Sequence, residues 1–187
     1  RMNVKVAFVL ILLAFFCSIK SISQATFIVT KTGTNPTIDQ AIDHTANIWS
    51  NYLITTIPIK VNIIYMDLTV QGPLGVTFSN GRKDFNLAPQ PLTWYASCLS
   101  NAIEGIELNI SEYDMDIYIN SAKPYYFGVD GNSPINKYDF VTVLIHEIAH
   151  GLGIMSLSIV DNNEGSFGML DSTSIVPLVT SFPFAVL

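Results

Sequence analysis

The segment that most constrains this chain is Asp139-Phe140-Val141-Thr142-Val143-Leu144-Ile145-His146-Glu147-Ile148-Ala149-His150-Gly151. Asp139 reads as an N-cap and predicts a helix from Phe140 to about Leu152. Such a helix is apolar almost all round, so it must be buried, yet it carries His146, Glu147 and His150. Polar groups in so apolar a helix are costly unless something satisfies them. Histidines four residues apart project from one face, one turn above the other, and both imidazoles can reach a single zinc at about 2.0–2.1 Å. Glu147 lies roughly 100° around the helix from His146. There it can stand beside the metal without ligating it, take a proton from water and pass it to a leaving amine. The competing reading is a buried His–Glu pair hydrogen-bonded in the core. The apolar context favours zinc, with His146 and His150 as metal ligands and Glu147 as the catalytic base.

Gly151 and Gly153 follow at once, and glycine so placed lets the helix stop and the chain turn beneath the metal. The resulting pattern, His-Glu-x-x-His-x-x-Gly, resembles the metzincins, a clan of zinc metallopeptidases, and the match runs through Gly153. That clan carries a third histidine, or sometimes an aspartate, three residues after the glycine; Ser156 stands there, and a serine hydroxyl is a poor zinc ligand. The stretches Asp116–Ser121, Tyr126–Gly128 and Tyr138–Glu147, with Gln24–Phe27 and Trp49–Ile64, narrow the likeness to secreted, Bacteroidetes-type metzincin-like proteins. The resemblance implies a third ligand from farther along the chain, with Asp161, Glu164 and Asp171 present but in no matching motif. It also offers Met169 as a weak match to the methionine turn beneath the zinc, beside the commoner reading of a core methionine. Finally, it implies an edge strand that pairs with an extended peptide substrate through main-chain hydrogen bonds, a role that falls by position on the strand Asp116–Asn120.

At the amino terminus, Lys5 precedes an unbroken apolar run from Val6 to Cys17, then small and polar residues to Gln24. That is the pattern of a signal peptide over residues 1–23, cleaved after Ser23. The run is short for a membrane span, though an uncleaved anchor is the alternative. Removing it leaves 6 basic against 15 acidic residues, a net charge of about −9. Nucleic acid and anionic membrane both call for a basic surface, so neither is an expected partner; a protein or peptide substrate is. Cys98 then remains alone, with no disulfide framework, and reads as a buried packing residue. The apolar ending, Ser181–Leu187, suggests a catalytic domain over 24–187 that is cut short.

Periodicity supplies the rest of the expected architecture. Ala25–Thr30 and Ile59–Tyr65 read as strands, and Ile38, Ala41, Ile42, Thr45, Ile48, Trp49 and Tyr52 mark an amphipathic helix over Thr37–Tyr52. Leu68–Trp94 reads as loops with one short strand near Val76–Phe78; Leu92–Ile103 contains a short helix, and the sequence beyond Gly153 is irregular. Glu112, Asp114 and Asp116 look like a solvated acidic turn, and neither they nor Asp130-Gly131-Asn132 completes a calcium loop motif. His44 reads as a surface histidine. The expected fold is therefore α/β, metzincin-like, a twisted mixed sheet with a backing helix and a zinc-binding helix. The expected function is that of a secreted zinc endopeptidase. Ser156 keeps a rival open, a secreted non-catalytic binding or adhesion module on a decayed metzincin-like fold.

Overall fold

A computed structural model describes residues 23–154, 158–161, 164–170 and 175–183. The signal-peptide expectation falls on residues outside this set, apart from Ser23. The chain divides into two compact units, one reaching to Leu152 and the other beginning at Gly153. No helix among the described residues is long and apolar enough to cross a membrane.

The first unit is built on a four-stranded mixed sheet. Strand β1 (Phe27–Thr32) leads into helix α1 (Pro36–Tyr52) and back to β2 (Ile59–Met66). Strands β3 (Gly75–Ser79), β4 (Gly81–Arg82) and β5 (Tyr95–Ala96) follow, then helix α2 (Ser97–Glu104), then β6 (Met115–Asn120). Two short strands, β7 (Tyr125–Tyr126) and β8 (Tyr138–Asp139), precede helix α3 (Phe140–Gly151). The sheet order is β1-β2-β6-β3. Strands β1, β2 and β6 run parallel, with Val61 opposite Val29 and Met115, whereas β3 runs antiparallel to β6.

The alternation of β2 and β6 explains which face is covered. Ile59, Val61 and Ile63 of β2 and Met115, Ile117 and Ile119 of β6 are buried on one face. Against them pack Ile38, Ala41 and Ile42 of α1 and Phe140, Leu144 and Ile148 of α3. Phe140, Leu144 and Ile148 recur at four-residue steps, the spacing of one helix stripe, and all three are essentially inaccessible. Burying each such side chain contributes about 1.5–3 kcal/mol. The two helices touch each other as well as the sheet, so both lie on the same face.

The ends of both helices are set by side chains. Asn35 Oδ1 accepts from the backbone N–H groups of Thr37 and Ile38 at 3.0 and 3.1 Å, and Pro36 opens α1. Asp139 Oδ1 accepts from the Thr142 N–H at 2.7 Å, the N-cap its position implies. Around the first turn of α3, Tyr125 meets Phe140 edge-on with ring centroids 5.5 Å apart, and Phe127 lies 5.0 Å from the same ring. This aromatic group fixes the entry of the helix that carries the histidines.

The second unit departs from the irregular segment expected after Gly153. Strands β9 (Ser158–Asp161), β10 (Glu164–Leu170) and β11 (Ile175–Pro183) form an antiparallel sheet in the order β11-β10-β9. Register shifts at Ser166 and between Phe167 and Gly168 interrupt the β10–β11 pairing, which blurs the two-residue alternation that would have exposed these strands in the sequence.

Candidate metal and catalytic site

Helix α3 presents its polar residues in two directions. His146 is exposed and His150 half-exposed. Their Nε2 atoms stand 2.8 Å apart, and the rings meet edge to face with centroids at 4.4 Å. Two nitrogens held tetrahedrally by one zinc at about 2.0–2.1 Å lie about 3.4 Å from each other. The two rings are thus in hydrogen-bond contact on one helix face, and binding a single zinc would replace the shared proton and part the nitrogens by about 0.6 Å. Imidazole nitrogens are also among the donors zinc prefers.

These two side chains could serve as two of the ligands of a zinc ion. Among the described residues no group of three His, Cys, Asp or Glu side chains is placed to hold a metal ion. Ser156 and Asp171 lie outside the described residues. Asp161, Glu164 and Met169 belong to strands of the second unit whose side chains likewise lie outside them. His44 is half-buried on α1 and takes no part in the histidine pair.

Glu147 turns inward and is 6% exposed. Its carboxylate meets β3, where the Thr77 hydroxyl lies 2.7 Å from Oε2 and 3.0 Å from the backbone carbonyl of Glu147. Gly75, two residues earlier and so on the same side of the strand, leaves the space that the carboxylate fills. A Cβ at position 75 would come within 2.8 Å of Glu147 Cγ, Cδ and Oε1. Farther along, the Ser79 hydroxyl donates to the Gly151 carbonyl at 3.0 Å. The end of α3 is held equally closely from beneath, because a Cβ on Gly151 would overlap Met115 Sδ at 2.2 Å.

The loop entering β3 is fixed by Asn120, which is wholly buried. Its amide donates to the carbonyls of Thr69 and Pro73 at 2.7 and 2.9 Å, and its Oδ1 accepts from the N–H groups of Leu68 and Ala122 at 3.0 Å each. Both donors and both lone pairs of the side chain are thus used. The Tyr125 phenol donates to the Leu74 carbonyl at 2.7 Å. Burial pushes its acidity well out of the ordinary range, with the neighbouring Tyr65 and the Glu147 carboxylate adding to the effect, so it remains a neutral donor.

The sheet order corrects the placement of the edge strand. Asp116–Asn120 belongs to β6, which is paired on both sides, by β2 and by β3. Among the described residues β3 is the edge strand beside β6, and it packs against α3. The Asn120 N–H donates to the Leu74 carbonyl at 2.9 Å, and the Asn80 N–H donates to the Asp114 carbonyl at 3.0 Å. Hydrogen-bonded pairs alternate along an antiparallel ladder. The even-numbered residues 74 to 80 therefore face β6, while Gly75, Thr77 and Ser79 turn their backbone groups to the outer edge. Sequence reasoning had the strand near Val76–Phe78 but missed Thr77, Gly75 and Asn120 as parts of the site. The available signal was the alternation of small residues in Gly75-Val76-Thr77-Phe78-Ser79, which permits close approach of a helix on one side.

The acidic segment also differs from expectation. Asp114 is completely buried rather than solvated. Its Oδ2 accepts from the Lys60 N–H at 2.8 Å and its Oδ1 from the Asn101 amide at 3.1 Å. Burial raises its pKa above the usual carboxylate value, against the lowering effect of the Lys60 backbone bond. Asp116 Oδ1 accepts from the Asn62 amide at 2.8 Å. Cys98 is buried as expected, and burial together with the Asp114 charge pushes its thiol up to about 12.

Comparison with known proteins adds one likeness: a family model described as SPBPB7E8-like matches residues 96–180, a span that contains α3 with both histidines and Glu147. No curated protein and no solved structure matches the chain.

Proposed function

We propose that this chain is an exported zinc-dependent endopeptidase of metzincin-like architecture. The observation that carries the reading is the contact of His146 and His150 Nε2 at 2.8 Å on the helix that also holds the Glu147 carboxylate against β3, an edge strand among the described residues. Zinc held by the two histidines would polarise a substrate carbonyl and make water acidic enough to react near neutral pH. Glu147 would take the proton from the attacking water and return it to the leaving amine. The backbone groups of Gly75, Thr77 and Ser79 would pair with an extended peptide, as edge strands do when they bind a chain by strand addition. Support for the metzincin-like arrangement comes from the antiparallel edge strand beside the zinc helix, together with the motif His146–Gly153.

The test is zinc content of the full chain together with protein cleavage in the presence and absence of a chelator. We expect about one zinc per chain and cleavage of unfolded protein that stops on chelation and returns with added zinc. Stoichiometric zinc without any cleavage would favour the binding-module alternative that Ser156 raises. No zinc at all would overturn the metal-site reading of His146 and His150.

A further inference from the structure

We propose that Thr77 is a positioning residue for Glu147, fixing the carboxylate from the substrate-pairing strand. The inference rests on the reading of Glu147 as the general base, and it adds a residue that the motif does not contain. Three observations place it. The Thr77 hydroxyl lies 2.7 Å from Glu147 Oε2. Gly75, on the same side of the strand, contributes no side chain, so the carboxylate settles against the backbone there, where a Cβ would stand 2.8 Å from it. The backbone of Thr77 belongs to the set that faces the outer edge, because its neighbours in the alternation bond to β6.

The consequence is mechanical. A carboxylate on a flexible side chain samples several rotamers, and a base acts only from the orientation that reaches the proton. A hydroxyl bond to one oxygen removes most of that freedom and leaves Oε1, on the Gly75 side, as the oxygen not engaged by Thr77. The strand that would bind the peptide backbone is then also the strand that aims the base, so substrate register and base orientation are set by one residue. Serine keeps the hydroxyl, whereas valine keeps the shape of threonine without it.

The experiment compares wild type, Thr77→Val and Thr77→Ser as full chains with matched zinc content on one peptide substrate. We expect Thr77→Val to lower kcat about 10–100-fold, the scale seen when a supporting hydrogen bond is removed. KM should stay within about threefold, because ground-state binding is untouched, and Thr77→Ser should restore most of the rate. A second readout needs neither zinc nor turnover. In the metal-free chain, Thr77→Val should lower the urea midpoint more when Glu147 is present than in a Glu147→Ala background. Unchanged kcat in Thr77→Val, failure of serine to rescue, or equal midpoint shifts in both backgrounds would overturn the proposal. A wild-type chain that binds zinc but shows no Glu147-dependent cleavage overturns the underlying reading instead, and does so before any change at position 77.

Discussion

Helices α1 and α3 pack on the same face of the same sheet, yet they differ in how they treat a buried polar side chain. On α1 the buried stripe is Ile38, Ala41, Ile42, Thr45 and Ala46, and its single buried hydroxyl, on Thr45, bonds to the Ala41 carbonyl of its own helix at 2.8 Å. Asp43 reaches Lys31 of β1 at 2.5 Å, an ion pair on the surface of the kind that contributes little. On α3 the polar residues look outside their own helix or to each other. Glu147 is buried against Thr77, and His146 meets His150. Apolar packing and one bond within the helix account for this buried stripe of α1. They do not explain Glu147 on α3, where a buried apolar side chain would have cost nothing in desolvation. On the proposed reading, the buried Glu147 is what sets α3 apart as the catalytic helix.

That contrast can be broken most severely at the histidines. His146→Ala or His150→Ala should abolish zinc binding at micromolar metal, measured by metal analysis after dialysis, and reduce cleavage to background. If either variant keeps stoichiometric zinc, the pair is not the metal site. Leu144→Ala, by contrast, tests α3 as a core helix and should destabilise by about 2–5 kcal/mol in urea unfolding. The two effects should separate cleanly: metal lost with the fold kept in one case, stability lost with the histidines intact in the other.

Gly75→Ala is expected to affect both properties. The added Cβ at 2.8 Å from the carboxylate must displace Glu147, costing about 1–3 kcal/mol of stability and lowering kcat with zinc retained. A variant with wild-type kcat would show that the carboxylate tolerates a different seat. On α1 the corresponding change is Asn35→Ala, which removes a cap bonded to two backbone N–H groups and should cost about 1 kcal/mol. Its kcat should not move, since the bonds it removes belong to the first turn of α1.

How much of this was legible beforehand follows from the same contrast. Helix α1 announces itself because its apolar residues sit on one stripe, and α3 because His146, Glu147 and His150 stand out against an apolar background. Strands β2 and β6 alternate cleanly and were readable as strands, but pairing order is not written in alternation. Nothing local distinguishes the doubly paired Asp116–Asn120 from an edge strand. Thr77, Gly75 and Asn120 gain their roles only through contacts with residues far along the chain, as in the Thr77–Glu147 bond. Asp114 was misread for the same reason: its partners, Lys60 and Asn101, come from other elements, so its acidic neighbours suggested solvent.

The smallest expected effect concerns Cys98, packed beneath the end of α3 with its thiol directed at the Gly151 carbonyl at 3.7 Å. Its pKa is raised from an ordinary 9.0 to about 12, so the folded state holds the proton more tightly than the unfolded chain. The stability this contributes is present below about pH 9 and is lost as pH rises towards 12. Thiol-reactive dye at pH 8 should label the native chain far more slowly than the urea-unfolded chain. Equal rates would place Cys98 at the surface.

The most direct measurement is the rate of peptide cleavage by the full chain and by Glu147→Gln at matched zinc occupancy. Glutamine keeps the shape of the side chain and can still meet Thr77, but it cannot take a proton from water. We expect both proteins to hold about one zinc, with cleavage by Glu147→Gln about 10²–10⁴-fold slower. Equal rates in the two proteins, or zinc-loaded wild type that cleaves no peptide, would contradict the assignment of α3 as a catalytic helix.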